Sequence, residues 1–491
     1  MSVKYETVMG LEVHVQLDTN SKMFTRVGTG FGKPPNTLTD PVVLGLPGAL
    51  PVMNREAIEK SIKVGLLLGC KIAEVCKWDR KNYFYPDMPK NYQISQFDQP
   101  ICEGGEVEIE LPGETPTVMG EHRKVMLTRI HLEEDVGKLT HYERDSLVDY
   151  NRAGSPLLEI VSEPDLFTPD EVFAYLTSLR NSLVSAGISP CDMEKGQLRC
   201  DANVSIRPVG TTTLGTKVEL KNLNTISGVK QGVEYEIRRQ TKALENGEEI
   251  FQETRRWNPE EKRTTSMRSK EMAHDYRYFP DPDLMPVKID PEWVKRIAKE
   301  IPEKPFDKQR RYMAEMNLPY TATAALCGDR PLCEYFEKTA DLTKDSVKAA
   351  NWVVNDLLRE LSQAGKDSDN ESEISVENCP LAPESLAELI NLIEENVVSN
   401  NVAKELFPEM FATGKSAAEL VNEKGLEMKS DGDEIESLCV KAIEDDPDAA
   451  EKYKGGKEGA INALKGSVMK ATRGQANPQV VDETLRRLLS S

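Results

Sequence analysis

The 491-residue sequence predicts an α+β protein, in which a mixed and largely antiparallel strand-rich domain precedes an all-α helical domain and a small helical tail domain. Two patterns predict this class. Up to about residue 295, apolar and polar residues alternate in short segments, which is the period of half-buried strands. After Pro291, apolar residues recur at three- and four-residue spacing, which is the period of amphipathic helices.

The strand-rich domain is predicted to span residues 1–295. Alternation predicts strands at 5–8, 11–16, 107–111, 125–132, 157–161, 198–206 and 218–220. Helical spacing interrupts them at 55–68, 169–186 and 227–244. Proline and glycine mark the loops between these segments.

The helical domain is predicted at 296–405 and the tail domain at 406–491. Helices are expected at 291–301, 306–316, 330–363, 383–397, 400–411, 416–425, 433–446, 457–471 and 478–489. The acidic stretch 365–375 lacks large apolar residues apart from Ile374, which predicts a loop.

The charge is distributed unevenly. The formal net charge of -20, taken alone, argues against a nucleic-acid partner, because phosphate binding favours basic surfaces. Residues 367–450, however, hold 22 acidic and 5 basic side chains, whereas residues 451–491 hold 8 basic and 4 acidic ones. Most of the acidity therefore lies in one helical segment, and the basic tail allows a nucleic-acid partner.

The cysteines and the amino terminus indicate the compartment. Nine cysteines without regular spacing, and a start without a basic-then-apolar signal pattern, are typical of the reducing cytoplasm. The cysteine pairs are too far apart for a zinc knuckle, so we expect buried thiols. The apolar runs are much shorter than the roughly 20 residues of a membrane span, so no membrane partner is expected.

Acidic and histidine side chains share the faces of two predicted strands. Glu12 and His14 lie on one face of the first strand, and His131 and Glu133 lie on one face of another, which continues into Glu134. A carboxylate and an imidazole at this spacing can share a divalent cation. The alternative is an exposed strand face.

Three further acids, Glu159, Asp201 and Glu219, lie in apolar surroundings. Because burying an unpaired carboxylate is costly, these side chains are expected to have partners. Several acids and a histidine on separate strands are what a Mg²⁺ site that holds phosphate oxygens requires.

The segment 79–93 interleaves aromatic residues with cations, and Arg80, Lys81 and Asn82 open it. This pattern suits stacking on a base and binding of phosphate, while an amphipathic loop under the core is the alternative.

Familiar motifs are missing. The GKS at 414–416 lacks the glycine and the preceding strand of a phosphate loop, so it predicts a helix start, and no GxSxG elbow is found.

Longer motifs carry a resemblance to a known family. These are GLEVH at 10–14, DRKNYFYPD at 79–87, YQISQ at 92–96, HLEED at 131–135, DYNRAGSPLLEIV at 149–161, LRCDANVS at 198–205, ELKNLN at 219–224, DYRYF at 275–279 and GQANP at 474–478. Together they resemble the B subunits of the bacterial aspartyl/glutamyl-tRNA amidotransferases, over essentially the whole chain.

This resemblance implies an activity and partners. Enzymes of the family convert Glu-tRNA(Gln), and often Asp-tRNA(Asn), to the amide. Their B subunits are kinase-like in role: with ATP and Mg²⁺ they phosphorylate the side-chain carboxylate, and ammonia then displaces the phosphate. The ammonia comes from an amidase (glutaminase) partner, and a small third protein completes a heterotrimer. Catalysis of this kind works by positioning and electrostatics.

The resemblance also implies roles for individual residues. By resemblance, the metal site of the family corresponds to Glu12, His14, Glu133 and Glu159 in this sequence, with Glu134 as a weaker candidate. Glu12, His14, Glu133 and Glu159 would also be the catalytic residues. Further sets are the cradle-lining Asp201, Glu219 and Lys221, the nucleotide- or phosphate-binding Arg80, Lys81, Asn82 and Arg199, and the tRNA-binding tail residues Lys465, Lys470, Arg473, Arg486 and Arg487.

One departure from the family matters. Some relatives carry zinc-binding cysteines between the first strand and the LGLPG motif, but residues 17–43 contain none here, so we expect no structural zinc. Two other functions stay open at this point. One is a non-catalytic scaffold that binds tRNA, and the other is a stand-alone metal-dependent phosphohydrolase. The concentration of acids favours an activating enzyme over a scaffold, because simple RNA binding would not gather carboxylates beside the substrate.

Overall fold

The computed structural model describes residues 4–269, 276–367, 375–428, 432–472 and 475–490. It confirms the α+β class, with strands concentrated before residue 290 and helices after it. The chain divides into two compact units, Met1–Asp307 and Lys308–Ser491, which we describe separately. Within the described ranges, no helix combines the length and the apolar character that crossing a membrane requires.

The strands belong to the first unit. They are β1 Tyr5–Gln16, β2 Lys71–Ile72, β3 Val75–Cys76, β4 Asp79–Asn82, β5 Tyr92–Ser95, β6 Cys102–Glu103, β7 Glu106–Glu110, β8 His122–Glu134, β9 Lys138–His141, β10 Ser146–Asp149, β11 Pro156–Ser162, β12 Leu198–Pro208, β13 Val218–Leu223, β14 Glu253–Asn258, β15 Arg263–Ser269, β16 Phe279–Pro280 and β17 Val287–Lys288.

One large sheet organises this unit. Its order is β15-β14-β13-β12-β1-β11-β8-β6-β2, with β7 also paired to β8. The pairs are antiparallel except for β13 and β14, which run parallel. A three-stranded sheet has the order β16-β4-β5, and two further sheets consist of two strands each: β9 with β10, and β3 with β17. The first residues of the segment 79–93, for which an amphipathic loop was the alternative, therefore form a strand, β4.

The helices are α1 Arg55–Leu67, α2 Pro169–Ser185, α3 Ile226–Glu245, α4 Pro291–Ala298, α5 Pro305–Glu315, α6 Tyr320–Cys327, α7 Arg330–Asp341, α8 Ser346–Asn351, α9 Leu358–Asp367, α10 Pro383–Glu394, α11 Asn400–Thr413, α12 Ala417–Lys424, α13 Gly432–Asp445, α14 Pro447–Lys454, α15 Ile461–Ala471 and α16 Pro478–Ser490. A π-helical turn at Trp352–Leu357 joins α8 to α9.

The two faces of β1 differ as the alternation predicts. Leu11, Val13 and Val15 are buried in the main core, whereas Glu12 and His14 lie partly exposed on the other face. Helices α1, α2 and α3 contribute buried apolar residues to the same core. The central strands therefore present their polar face away from this core, and that face carries the candidate site.

The second unit contains two separate apolar cores. One collects buried residues between Tyr312 and Val421, and the other collects residues between Ile435 and Leu489. The boundary predicted at 405–406 falls inside α11, whose Leu406 and Phe411 belong to the first of these cores. The division into three domains stays a prediction, and the last core gives the tail a boundary near residue 432 for experiments.

One helix prediction and one loop prediction differ from the structure. The single helix expected at 330–363 is broken, because Asp345 accepts hydrogen bonds from the backbone N–H groups of Val347 and Lys348 and so caps a new helix. The loop expected at 365–375 begins inside α9, which extends to Asp367, and residues 368–374 lie outside the described ranges. The GKS at 414–416 does start a helix, since Ser416 forms a capping box with Glu419.

Candidate active site

Four adjacent strands place one row of ionisable side chains across the sheet. His14 on β1 is the cross-strand neighbour of Arg199 on β12 and of Glu159 on β11. Glu159 is in turn the neighbour of His131 on β8. Because cross-strand neighbours share a face, the register alone brings an arginine, two histidines and a carboxylate together.

The centre of this row is a compact cluster of carboxylates and imidazoles. Glu159 Oε2 lies 3.0 Å from His131 Nε2 and 3.5 Å from His14 Nε2. Glu133 Oε2 lies 3.6 Å from His131 Nε2 and accepts a hydrogen bond of 2.8 Å from the Ser95 hydroxyl. Ligand atoms of His14, Glu133 and Glu159 all lie within 4.8 Å of one another, and we call these three residues the acid–histidine cluster.

The electrostatics of this cluster follow from its burial and its pairing. Burial alone would lower the pKa of His131, but Glu159 and Glu133 outweigh it and raise that pKa to about 9. The same balance raises the pKa of His14, mainly through Glu159. Burial alone would raise the pKa of Glu159, yet His131 and His14 hold it well below its usual range. Without a metal ion, the carboxylates are therefore ionised and compensated by imidazolium.

Two predicted metal ligands have other partners. Glu12 Oε1 accepts a hydrogen bond of 2.9 Å from the Asn203 side chain. Glu134 is buried, pairs with the Lys90 ammonium, and accepts a hydrogen bond of 2.9 Å from the backbone N–H of Ile94. Within the described residues, neither belongs to the set of ligand atoms that lie within 4.8 Å of one another. Both stay candidates at a greater distance from the cluster.

The predicted cradle residues form a second group beside Glu12. Asp201 is the cross-strand neighbour of Glu12, and its carboxylate pairs with the Lys221 ammonium. Lys221 Nζ also lies 3.4 Å from Glu219 Oε1. Burial would lower the pKa of Lys221, but the Asp201 and Glu219 carboxylates raise it instead. The three residues therefore form one ion-paired group on β12 and β13.

The residues of β4 divide between two environments. Arg80 Nε lies 2.7 Å from Asp281 Oδ2, and the guanidinium stacks on the Tyr92 ring at 4.4 Å. Lys81 lies 5.0 Å from the centre of the Tyr276 ring, and Glu133 is the main group that raises its pKa against the effect of burial. Of the two cations, Lys81 is therefore electrostatically coupled to the acid–histidine cluster, whereas Arg80 is paired with acids elsewhere.

Asn82 forms hydrogen bonds with the backbone carbonyls of Tyr276 and Arg277. Its side-chain amide donates to the carbonyl of Arg277 at 2.8 Å, and its backbone N–H donates to the carbonyl of Tyr276 at 2.9 Å. Asn82 therefore fixes the chain that carries the Tyr276 ring, against which Lys81 lies.

A cavity of about 1060 Å³ opens beside the row. Arg199 belongs both to the row, as the cross-strand neighbour of His14, and to the cavity lining. Its Nη2 donates to Asp135 Oδ1 at 2.8 Å. Burial would lower the pKa of Arg199, but Asp135 outweighs it and raises that pKa. The lining includes five cations, Lys33, Lys138, Arg152, Lys195 and Arg199, and four acids, Asp18, Asp149, Glu194 and Asp201. The cations can contact an anionic ligand, while the acids leave the lining only slightly positive overall.

The tail cations are largely compensated within the tail. Asp482 pairs with both Lys465 and Arg486, and Arg487 pairs with Glu436. Lys470 is exposed on α15. Arg473 lies outside the described residues. The positive charge counted in the sequence is therefore only partly available to a phosphate backbone.

His131 is the residue at this site that the sequence-based selection of ligands omitted. It lies between Glu133 and Glu159, and its Nδ1 is buried without a hydrogen-bond partner in the described part of the chain. A signal was present, because His131 alternates with Glu133 on the same face of one strand. Ser95 could not be selected, since its contact with Glu133 depends on the pairing of two distant segments.

Comparison with known proteins identifies the family. Residues 7–295 match the family model described as the GatB/GatE catalytic domain, and residues 334–489 match the GatB domain model. These models cover both units of the chain, and they confirm the resemblance carried by the motifs.

Full-length relatives agree with these matches. The chain is 59% identical to the aspartyl/glutamyl-tRNA(Asn/Gln) amidotransferase B subunit of Opitutus terrae, over 100% of both chains. It is 49% identical to the protein of that name from Thermoanaerobacter pseudethanolicus, over 99% of this chain and 100% of the relative. It is 47% identical to the protein of that name from Geobacter sp. strain M21, again over 99% of this chain and 100% of the relative. The chain therefore belongs to the GatB family, the B subunits of the aspartyl/glutamyl-tRNA(Asn/Gln) amidotransferases.

Proposed function

We propose that this chain activates the side-chain carboxylate of Glu-tRNA(Gln), Asp-tRNA(Asn) or both by phosphorylation with ATP, within a glutamine-dependent amidotransferase. The observation that carries the proposal is the acid–histidine cluster beside a cavity whose lining includes Arg199 and four other cations. Its partners in a heterotrimer would be an amidase (glutaminase) and a small third protein, in the cytoplasm. No structural zinc is expected, and the nine cysteines are free thiols, seven of them buried.

The donor set of the cluster fits Mg²⁺. This ion binds through one or two carboxylates and keeps several waters, and Glu133 and Glu159 offer such oxygens with His14 beside them. His14, Glu133 and Glu159 would hold the ion, with Glu12 and Glu134 as outer candidates. When bound, Mg²⁺ would offset the negative charge of the phosphates and of the substrate carboxylate.

The protein side chains would position the reactants. Arg199 and the other cavity cations would bind the triphosphate, and Lys81 would lie beside the carboxylates. A carboxylate oxygen of the substrate attacks the γ-phosphorus of ATP, and the bond to ADP breaks. Ammonia then attacks the acyl carbon, loses a proton, and inorganic phosphate leaves with the bonding electron pair. The amide nitrogen comes from ammonia, and one ATP is consumed for each amide.

A non-catalytic scaffold that binds tRNA is the alternative. The cluster supports the enzyme over the scaffold, because several buried ionisable groups with displaced pKa values at one point are typical of functional sites.

The nucleotide product tests the proposed chemistry. The test uses the complex reconstituted with the glutaminase and the small third protein, with ammonium as nitrogen donor. We expect one ADP for each Gln-tRNA(Gln) formed, and no Gln-tRNA(Gln) without ATP or Mg²⁺. Release of AMP and pyrophosphate would indicate adenylation and contradict the proposal. Hydrolysis of glutamine by this chain alone would contradict the proposed division of labour within the heterotrimer.

We also propose that the tail binds the tRNA. Removing residues 432–491 deletes the last apolar core as a whole, so we expect the remainder to fold. The KM for tRNA in amide formation should rise at least about fivefold, because phosphate contacts dominate such affinities. Circular dichroism of the truncated chain is the folding control. An unchanged KM in a folded truncated chain would refute the role of the tail.

A further inference from the structure

We propose that Lys22 is a positioning residue, whose buried ammonium fastens the loop at 32–40 to the turn at 148–153 and so sets the width of the cavity that Arg199 lines. The assignment of nucleotide to that cavity rests on the proposed function. Lys22 itself does not line the cavity.

The environment of Lys22 is unusual for a lysine. The residue is fully buried, and its Nζ donates to the carbonyls of Leu38 at 2.6 Å, Ala153 at 2.6 Å and Tyr150 at 3.3 Å. An ammonium has three donors, so three carbonyls satisfy it. Within the described residues, no carboxylate lies within 4.0 Å of this Nζ. Burial lowers the pKa of Lys22 to about 8, although Asp40 opposes the effect. A buried charge without an ion-pair partner is costly, so its retention requires a role.

Asparagine side chains fasten the same two segments. The Asn36 amide donates to the carbonyl of Val148 at 3.0 Å, and its Oδ1 accepts from the backbone N–H of Tyr150 at 2.8 Å. From the other side, Asn151 Oδ1 accepts from the backbone N–H of Leu38 at 2.8 Å. We call Lys22, Asn36 and Asn151 the loop clasp, because each of them bonds across the same gap.

The fastened segments are walls of the cavity. Gly32 and Lys33 line it from the first loop, and Asn151 and Arg152 line it from the turn. Arg152 also lies 3.4 Å from Asp135, the carboxylate that holds Arg199. Without the Lys22 ammonium, the carbonyls of Leu38 and Ala153 would lose their donor, while that of Tyr150 would keep the backbone N–H of Ala153. Water would then have to enter or the walls would have to separate. The clasp therefore acts on the ligand through the placement of Lys33 and Arg152.

Two pairs of variants of the full chain test this proposal. Lys22→Met removes the ammonium, and Lys60→Met is its control, since Lys60 donates to a single carbonyl, that of Gly187 at 2.9 Å, away from the cavity. Asn36→Gly removes the Asn36 side chain from the clasp without backbone strain, because Asn36 has a φ of 59°, which glycine adopts readily. Asn317→Gly is its control, an exposed asparagine with a φ of 52° in the second unit.

The measurements are the affinity for a non-hydrolysable ATP analogue with Mg²⁺, the affinity for Mn²⁺ alone, and hydrogen exchange of the Leu38 amide. We expect both clasp variants to weaken analogue binding by about tenfold, as displaced positioning groups do, and to speed exchange at Leu38. Mn²⁺ affinity and both controls should match the wild type.

The outcomes separate this proposal from the proposed function. Analogue binding and Leu38 exchange like those of the wild type in both clasp variants would overturn the clasp. Should Lys22→Met fail to fold, Asn36→Gly decides alone. A wild-type chain that does not bind the analogue would overturn the nucleotide assignment. In that case the Leu38 exchange alone would decide: faster exchange in the clasp variants would support the clasp, and unchanged exchange would overturn it.

Discussion

Replacing Glu159 with glutamine is expected to lower the rate of amide formation by at least about 100-fold in the reconstituted complex, the size of effect that follows loss of a preorganised charged group. Glu159 lies at the centre of the row, with His131 Nε2 at 3.0 Å and His14 Nε2 at 3.5 Å. A neutral amide would neither compensate these imidazoles nor ligate Mg²⁺ as a carboxylate does. The measurement is Gln-tRNA(Gln) formed from Glu-tRNA(Gln), ATP and ammonium.

Glu163→Gln is the matched control for this substitution. Glu163 follows the same strand, is half-buried, and accepts a hydrogen bond of 2.8 Å from the Thr128 hydroxyl, which a glutamine carbonyl can also accept. We expect this control to retain the wild-type rate. A Glu159→Gln complex that forms amide at near the wild-type rate would mean that the cluster has no part in the reaction.

Replacing His14 with alanine is expected to weaken Mn²⁺ binding by the full chain by about 100-fold, because a lost ligand costs at least as much as the 10–100-fold loss caused by changing residues around the ligands. Mn²⁺ replaces Mg²⁺ here because its free form is measured by electron paramagnetic resonance. His14 supplies one of the three groups whose ligand atoms lie within 4.8 Å. This measurement needs neither tRNA nor partner proteins, so it isolates the metal site from the reaction.

His122→Ala is the control for the metal measurement. His122 Nδ1 also lies beside a carboxylate, 2.8 Å from Glu108 Oε1, but on β8 and β7 at a distance along the chain from the cluster. We expect its Mn²⁺ affinity to equal that of the wild type. Equal losses in both variants would indicate nonspecific binding of Mn²⁺ by histidine–carboxylate pairs.

Much of the fold was predictable because alternation is a local property. The period of two in β1 placed Glu12 and His14 on one face and Val13 on the other, and burial agrees with this. Polar strands such as β14 and β15 were missed, because Glu253–Asn258 and Arg263–Ser269 carry few apolar residues to alternate. Their strand structure depends on pairing with β13 and with each other.

The candidate site was predictable only in part, because it depends on register between distant strands. The sequence shows that His14 and Glu159 lie on strands, but their pairing arises from the antiparallel alignment of β1 with β11. The pairing of β11 with β8 likewise brings His131 to Glu159, which no local pattern could indicate. In the same way, a count of basic residues in the tail could not show that Asp482 pairs with two of them.

The transfer of oxygen from the substrate carboxylate to phosphate tests the central proposal most directly. Glu-tRNA(Gln) carrying ¹⁸O at both oxygens of its side-chain carboxylate would be converted with ATP and ammonium by the reconstituted complex, and the released phosphate analysed by mass spectrometry. If the carboxylate is activated by phosphorylation, each phosphate released during amide formation carries one ¹⁸O. Phosphate without ¹⁸O, accompanied by normal amide formation, would contradict carboxyl phosphorylation by this chain.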